Sequence, residues 1–360
     1  MGDVYIVLQN KMIFKGKGFG AMPATLPAGS EALGELVFTT GMGSCIETLT
    51  DPRYYGQLVI QTFPLIGNYG IIKEDTEGKR PVLKAYIVRE HCEKPSNFRC
   101  DMTLDDYLKK EGVVGVFDID TRELTKALRE NGVMNAKICA DISDIDYNEI
   151  AGYKIIDAVA SVSEKRLHAE NLCGKHKVAL IDYGMKGNVS EELCLRGCEV
   201  TVVPHTYTAE QILALGVQGA VLSDGPGDPA VNSFETGVIK DLLGRLPLFG
   251  MGLGHQMLAL AAGGETYKLK YGHRGASQPV KCLETGRVYI TDQNQGYAVD
   301  AKSLKNGRET FVNLNDGANE GMEYPELKAF SVQFNPDLFS GPLDPKWLFD
   351  KFIAGILQEG

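Results

Sequence analysis

The glycine-dense segment at residues 248–264, LFGMGLGHQMLALAAGG, has the residue types and spacing best suited to chemistry in this sequence. It predicts a short apolar strand, a tight turn and the opening of a helix. Glycines at 250, 252 and 254 permit the positive-φ backbone that lifts one side chain out of such a corner. Amide N–H groups at the helix start can hold an oxyanion. A nucleophile is expected at the tip of the turn, where the sequence has Gly252.

This segment resembles the nucleophile elbow of class I glutamine amidotransferases, strand-G-x-C-x-G-x-Q-helix, at every position except the cysteine. Nearly the whole chain is similar to one member group, the small, glutaminase subunit of carbamoyl phosphate synthetase. The matching blocks are LTDPRYYGQLVIQTFPLIGNYG (49–70), VVGVFDIDTRELTKALRENG (113–132), VLSDGPGDPA (221–230), YGHRGASQPV (271–280), ITDQNQGYAVD (290–300) and FSVQFNPDLFSGP (330–342). The resemblance implies catalysis by a cysteine, a histidine and a glutamate.

The family's catalytic triad, carried across residue by residue, falls on Gly252, Asn335 and Asp337. Glycine has no nucleophile, and the carboxamide of Asn335 cannot act as a base near neutral pH because it does not accept a proton there. The carboxylate of Asp337 has no imidazole to orient. Gln295 stands where the family often has a histidine, and no cysteine lies between 199 and 281 to replace the missing thiol. These changes predict that glutamine hydrolysis has been lost.

The positions that hold the substrate are better preserved. By resemblance, the glutamine pocket would be lined by Gly225, Gly227, Leu253, Gln256, Asn294, Gly296 and Tyr297. The alternative for the two glycines of the G-P-G turn is turn geometry alone. Arg53 replaces a serine near the substrate in the family, and its guanidinium could pair with a carboxylate or block the pocket. His255 and His273 are candidate replacement bases, although the resemblance gives neither position a catalytic role.

The periodicity of the chain changes along its length. Residues 1–140 contain short β-like runs divided by glycine and proline turns, with two helices for which Thr103 and Thr121 are the predicted N-caps. Polar stretches at 141–176 predict a linker region. Residues 177–360 alternate apolar strands with amphipathic helices, which favours a parallel sheet covered on both faces. The expected fold class is α/β, with a β-rich N-terminal domain followed by a class I glutamine amidotransferase-like domain with a mostly parallel sheet.

Composition excludes several classes of protein. The chain has 360 residues, 44% of them hydrophobic, and a formal net charge of −10, which disfavours a nucleic-acid or anionic-membrane partner. No window approaches the roughly 18 apolar residues of a membrane span, and no signal peptide precedes the first strand, so a cytoplasmic location is expected. The cysteines form no C-x-x-C pair, and no metal site is predicted.

Three functions remain open. The first is an accessory small subunit of carbamoyl phosphate synthetase with an inactive glutaminase, bound to a large subunit that takes free ammonia. In that case this chain needs no cofactor, because ATP and Mg would be used by the large subunit. The second is a working glutamine amidotransferase. The third is a free-standing regulator that binds L-glutamine without cleaving it.

Overall fold

The described part of the computed structural model comprises residues 2–22, 32–42, 45–76, 78, 80–143, 145–186, 188–336 and 344–359. The chain divides into two units, Met1–Ala158 and Val159–Gly360.

The N-terminal unit is rich in β-structure, as predicted. Its strands are β1 (Asp3–Leu8), β2 (Ile13–Gly20), β3 (Ala32–Thr39), β4 (Gln57–Gln61), β5 (Leu65–Ile66), β6 (Ala85–Ile87), β7 (Glu90–His91), β8 (Val114–Phe117) and β9 (Met134–Cys139). Its helices are α1 (Cys45–Thr50), α2 (Leu104–Glu111), α3 (Thr121–Asn131) and α4 (Tyr147–Gly152). A closed barrel forms in the order β1-β2-β8-β6-β4-β3-β9, and β5 pairs with β7. Alternating apolar residues such as Ile6, Ile60 and Ile138 fill a core within this unit.

One of the two predicted helix caps in this unit is correct. Thr103 caps α2, because its side chain accepts a hydrogen bond from the N–H of Asp106 at 3.1 Å. The prediction of Thr121 as the second cap is wrong. Asp120 caps α3 by accepting from the N–H of Glu123 at 2.9 Å, and Thr121 is the first helical residue. Aspartate is at least as good an N-cap as threonine, and it stands one residue earlier.

The region 141–176, predicted as a linker, contains short regular elements. Helix α4 contacts the barrel, since Glu149 pairs with Lys137 of β9 at 2.9 Å. Helix α5 (Ala158–Val162) begins at the division between the two units. Strand β10 (His168–Glu170) belongs to the second unit, where it pairs with a strand of the large sheet.

The C-terminal unit is an α/β domain, which confirms the fold class. Its further strands are β11 (His176–Asp182), β12 (Cys198–Pro204), β13 (Gly219–Leu222), β14 (Leu248–Met251), β15 (Glu265–Cys282), β16 (Val288–Asp300), β17 (Arg308–Asn313), β18 (Asn319–Tyr324) and β19 (Ala329–Val332). Its further helices are α6 (Asn188–Leu195), α7 (Ala209–Ala214), α8 (Ser233–Leu242), α9 (Leu253–Ala261) and α10 (Trp347–Glu359).

The sheet of this unit is mixed. Its strand order is β10-β12-β11-β13-β14-β19-β18-β17-β15-β16. Parallel pairing is confined to the stretch β12-β11-β13-β14-β19, and the remaining pairs are antiparallel. The sheet is therefore less parallel than predicted, because the chain between β14 and β19 returns as long hairpin strands.

Both faces of the parallel part are covered. Alternate residues of β11 point to opposite sides, so that Ala179 and Ile181 join one core cluster while Val178 and Leu180 join the other. Helices α7, α8 and α9 cover the first face, and α6 and α10 cover the second. In such a sheet, ligands bind beyond the carboxyl ends of the strands. Among the described residues, no helix combines the length and apolar character that crossing a membrane would require.

Candidate functional site

The strand-to-helix corner predicted from the sequence is present at Gly252. This residue separates β14 from α9 and has φ 51° and ψ −111°, which confirms the predicted positive φ. These angles match the first central residue of a type II′ turn, which glycine adopts without steric cost. The N–H of Gly252 donates to the carbonyl of Val332 in β19 at 3.0 Å, and its carbonyl accepts from the N–H of Gln256 at 3.1 Å. The corner is thereby fixed between two neighbouring strands and the first turn of α9.

The space beside Gly252 is filled by Asp224, a residue that sequence reasoning did not select. Asp224 lies two residues after β13 and is 9% exposed. A Cβ atom at position 252 would lie 2.0 Å from Oδ1 and 2.1 Å from Cγ of Asp224. The carboxylate therefore occupies the volume that a nucleophilic side chain would need. In the block VLSDGPGDPA, Asp224 stands just beyond the apolar residues that end a strand. A polar residue at this position is the signal that could have identified it.

Two backbone N–H groups converge on one oxygen of this carboxylate. Oδ1 of Asp224 accepts from the N–H of Gly225 at 2.7 Å and from the N–H of Leu253 at 2.9 Å. Donors placed in this way at an elbow, one of them on the residue that follows the tip, have the geometry of an oxyanion hole. Of the predicted site residues, the structure thus brings Gly225, Leu253 and Gly252 together around Asp224.

The two glycines of the G-P-G turn stand at positions where a side chain would collide with its neighbours or strain the backbone. A Cβ on Gly225 would lie 2.4 Å from the carbonyl oxygen of Tyr183 and 3.0 Å from Cδ2 of Leu253. Gly227 has φ 94°, in the region that favours glycine. Turn geometry therefore accounts for both glycines. Their role in a glutamine pocket stays a prediction.

Gln256 is hydrogen-bonded to one predicted residue, Tyr297, and to Gln333, which was not predicted. Its Nε2 donates to the carbonyl of Tyr297 at 2.8 Å and to Oε1 of Gln333 at 3.0 Å. Asn294 is buried in β16, opposite Arg274 of β15. Both N–H groups of the Gln256 amide are thus directed to the protein, and its part in glutamine binding stays a prediction.

Arg274 is a further residue that sequence reasoning missed. It is 4% exposed, and Nη1 donates to the carbonyl of Tyr271 at 2.9 Å. Its Nη2 would lie 3.4 Å from a Cβ at Gly296. A buried cation therefore borders the loop predicted to bind glutamine. The signal was an arginine between two glycines in YGHRGASQPV.

Of the other two triad positions, one follows the strand next to the elbow and one lies outside the described residues. Asn335 is 4% exposed, and its N–H donates to the carbonyl of Asp292 at 3.3 Å. It follows β19 by three residues, and β19 pairs with β14, which ends at the elbow. Asp337 lies outside the described residues. The assignment of Asn335 and Asp337 as triad positions stays a prediction.

Neither candidate histidine is placed to replace the missing base. His255 is fully buried, with Nδ1 2.8 Å from Oγ of Ser331, and burial lowers the pKa of His255 to about 3. His273 lies in a separate polar cluster, with Nε2 2.8 Å from Asp316 and Nδ1 3.5 Å from Glu320. Burial opposes its charged form, but the two carboxylates outweigh burial and raise the pKa of His273. Both rings are engaged by structural partners.

Arg53 lies in the N-terminal unit, in a buried ion pair. Its Nε donates to Oδ1 of Asp51 at 2.9 Å, and its Nη2 donates to Oδ2 at 2.7 Å. The two side chains are 3% and 5% exposed. A guanidinium held in this way fits a structural role better than a free ligand contact. Its predicted part in glutamine binding is untested.

A mixed α/β sheet whose parallel strands end at a glycine elbow, with two N–H groups directed to one point beside it, defines an amidotransferase-like domain. Comparison with known proteins agrees. Residues 6–138 match the family described as carbamoyl-phosphate synthase small chain, CPSase domain, and residues 179–354 match glutamine amidotransferase class-I.

Relatives match the chain over almost all of its length. The carbamoyl phosphate synthase small chain of Clostridium perfringens is 46% identical over 97% of this chain and 98% of its own. That of Bacillus cereus is 44% identical over 98% of this chain and 95% of its own. A solved glutamine amidotransferase from Thermotoga maritima aligns with 51% of this chain and 85% of its own, with a TM-score of 0.38 and 17% identity. The chain belongs to the family of carbamoyl phosphate synthase small chains.

Proposed function

We propose that this chain is a small subunit that has lost glutamine hydrolysis and acts as a structural or regulatory partner of an ammonia-using large subunit. One observation carries the proposal: the tip of the elbow is Gly252, and the carboxylate of Asp224 fills the place of its side chain. Amide hydrolysis through a thioester needs a thiolate there, a base that takes its proton and a carboxylate that orients the base. The first two are missing from the triad positions.

Among the residues that the structure describes around the elbow, we find no substitute. The imidazole of His255 faces Ser331 in the core, and His273 is held by acidic partners. A carboxylate such as Asp224 is a poor nucleophile towards an unactivated amide. Oδ1, the atom nearest the elbow tip, also accepts two N–H groups, which lowers its nucleophilicity further. Loss of a whole hydrolase triad typically leaves about 10⁻⁶ of kcat.

The proposed partner is a large subunit that binds ATP and Mg, and the proposed location is the cytoplasm. Relatives named as small chains support the partner, because a small chain implies a large one. Binding between subunits depends on an extended complementary surface and not on three catalytic side chains, so association can outlast catalysis. The pathway served, pyrimidine or arginine synthesis, is left open by the residues of this chain.

Two alternatives have specific support. The matches to both family descriptions favour a working amidotransferase subunit. The burial of Gln256 and Asn294, with Gln256 hydrogen-bonded to the carbonyl of Tyr297, favours a regulator that binds L-glutamine without cleaving it. The first alternative requires a nucleophile outside the elbow.

Ammonia release from L-glutamine, with and without a cognate large subunit, tests the proposal. The matched control is a small subunit with cysteine, histidine and glutamate at the three triad positions, purified in the same way. We expect release from the control and none above background from this chain in either condition. Turnover of about 1 s⁻¹ or more, an ordinary enzymatic rate, would contradict the proposal. L-glutamine binding without release and without co-purification would favour the regulator.

A further inference from the structure

Helix α9 begins with the N–H of its first residue directed at the carboxylate of Asp224, which follows strand β13. The first N–H groups of a helix have no partner within the helix and form its positive end. Gly252, at the N-cap position, has no side chain to accept from them. Asp224 accepts from the N–H of Leu253 in its place, although it lies 29 residues earlier in the sequence. A carboxylate at this position makes a charge-assisted hydrogen bond, which is stronger than a neutral one.

This arrangement depends on the absence of a side chain at position 252. A Cβ there would lie 2.0, 2.1 and 2.5 Å from Oδ1, Cγ and Oδ2 of Asp224, distances that non-bonded atoms do not reach. These three atoms make up the carboxylate at the end of the Asp224 side chain, so this group would have to move away from the two N–H groups. A side chain at 252 and the carboxylate of Asp224 in the oxyanion hole are therefore mutually exclusive.

We propose that Asp224 is an internal occupant of the oxyanion hole, which closes the amide end of the glutamine site and replaces the elbow side chain as the cap of α9. The inference rests on the proposed function, because it gives the physical reason why the site cannot receive the amide. The oxygen of a substrate amide is an acceptor and needs the same two N–H groups that Oδ1 of Asp224 accepts from. Asp224 is thus a residue that determines specificity by exclusion.

A double-mutant cycle tests the mutual exclusion directly. The variants are Gly252→Ala, Asp224→Ala and the two combined, and urea unfolding is followed by the fluorescence of Trp347, the one tryptophan of the chain, which lies in α10. We expect Gly252→Ala to lower the folding equilibrium constant strongly when Asp224 is present. When residue 224 is alanine, the factor by which Gly252→Ala lowers the folding equilibrium constant should be at least about tenfold smaller. The matched control is Asp228→Ala, because Asp228 caps a turn of the same loop through the N–H of Ala230.

If Gly252→Ala had the same effect on stability in the Asp224→Ala background as in the Asp228→Ala background, the two substitutions would be additive and the inference would be overturned. The backbone amide resonances of Gly225 and Leu253 in NMR spectra give a second readout. It does not require the alanine variants at positions 224 and 252 to fold. Asp224→Asn keeps the shape and removes the charge, so both resonances should shift upfield, whereas Asp228→Ala should leave them in place. Unchanged resonances in Asp224→Asn would also overturn it. Neither measurement uses glutamine, so ammonia release by the unmodified chain would refute the proposed function separately.

Discussion

Rebuilding the glutaminase should need four substitutions and not three. Gly252→Cys, Asn335→His and Asp337→Glu restore the family's triad by residue type. The new Cβ would still lie 2.0 Å from Oδ1 of Asp224, and that oxygen holds both N–H groups of the oxyanion hole. We expect the triple variant to release almost no ammonia from L-glutamine. Adding Asp224→Ala should then raise the activity abruptly.

The cost of the triple variant can be worked from the contacts. A side chain at the positive φ of position 252 costs about 1–3 kcal/mol. Expelling a charged acceptor from its N–H groups costs about 1.5–3 kcal/mol more. For a unit the size of Val159–Gly360, each kcal/mol lowers Tm by roughly 2–4 °C, so the decrease should be at least about 5 °C. Asp224→Ala should recover part of it, since the clash is then removed.

The catalytic part of the reasoning follows from the same residues. A cysteine introduced alone has a pKa near 8.5, so only about 3% is thiolate at pH 7, and Asn335 cannot take its proton. Triad members act as a unit, and their loss together removes roughly 8 kcal/mol of transition-state stabilisation. Gly252→Cys alone should therefore be inactive.

The assay couples ammonia release to NADH oxidation by glutamate dehydrogenase, with Tm measured on the same samples. Asp228→Ala, added to the triple variant in place of Asp224→Ala, is the matched control. Equal activity of the triple variant with and without Asp224→Ala would refute the reasoning about the occupied oxyanion hole. Full activity of Gly252→Cys alone would refute the reasoning about the missing base.

Three other predictions concern the partner, a buried pair and a pH dependence. The chain should co-purify with a cognate large subunit, and carbamoyl phosphate formation by the complex should respond to ammonium and hardly to glutamine; the reverse preference would contradict the proposal. Arg53→Met should destabilise the N-terminal unit by about 3–5 kcal/mol in urea unfolding, because it removes the positive charge paired with the buried Asp51 carboxylate. Lys15→Met, which breaks an exposed pair, should have a much smaller effect, and similar losses for both would exclude this explanation. The raised pKa of His273 means that the folded state keeps a proton that the unfolded state loses as pH rises, so stability should fall above about pH 6.5. Thermal unfolding between pH 6 and 9 should show a shallower fall in His273→Gln, and an unchanged fall would rule out this source.

Local patterns in the sequence were sufficient for much of the architecture. Alternating runs identified the β-rich N-terminal unit, and apolar strands between amphipathic helices identified the α/β unit, because burial imposes a period of two on strands and 3.6 on helices. The elbow was predictable down to the positive φ of Gly252, since three glycines between a strand and a helix leave few other conformations. The cap of α3 shows the limit of this reasoning, because Asp120 and Thr121 are both good caps and stand side by side.

The sequence by itself determined the family, the two kinds of domain and the absence of a nucleophile at position 252. Only the tertiary structure decided what fills the vacant corner. Asp224 and Leu253 are 29 residues apart and meet because β13 and β14 pair in parallel and end at the same edge of the sheet. The antiparallel pairing of β15 to β18 is likewise a matter of strand order. Such contacts depend on which strands become neighbours, and this is set by packing of the whole unit and not by the residue types at either position.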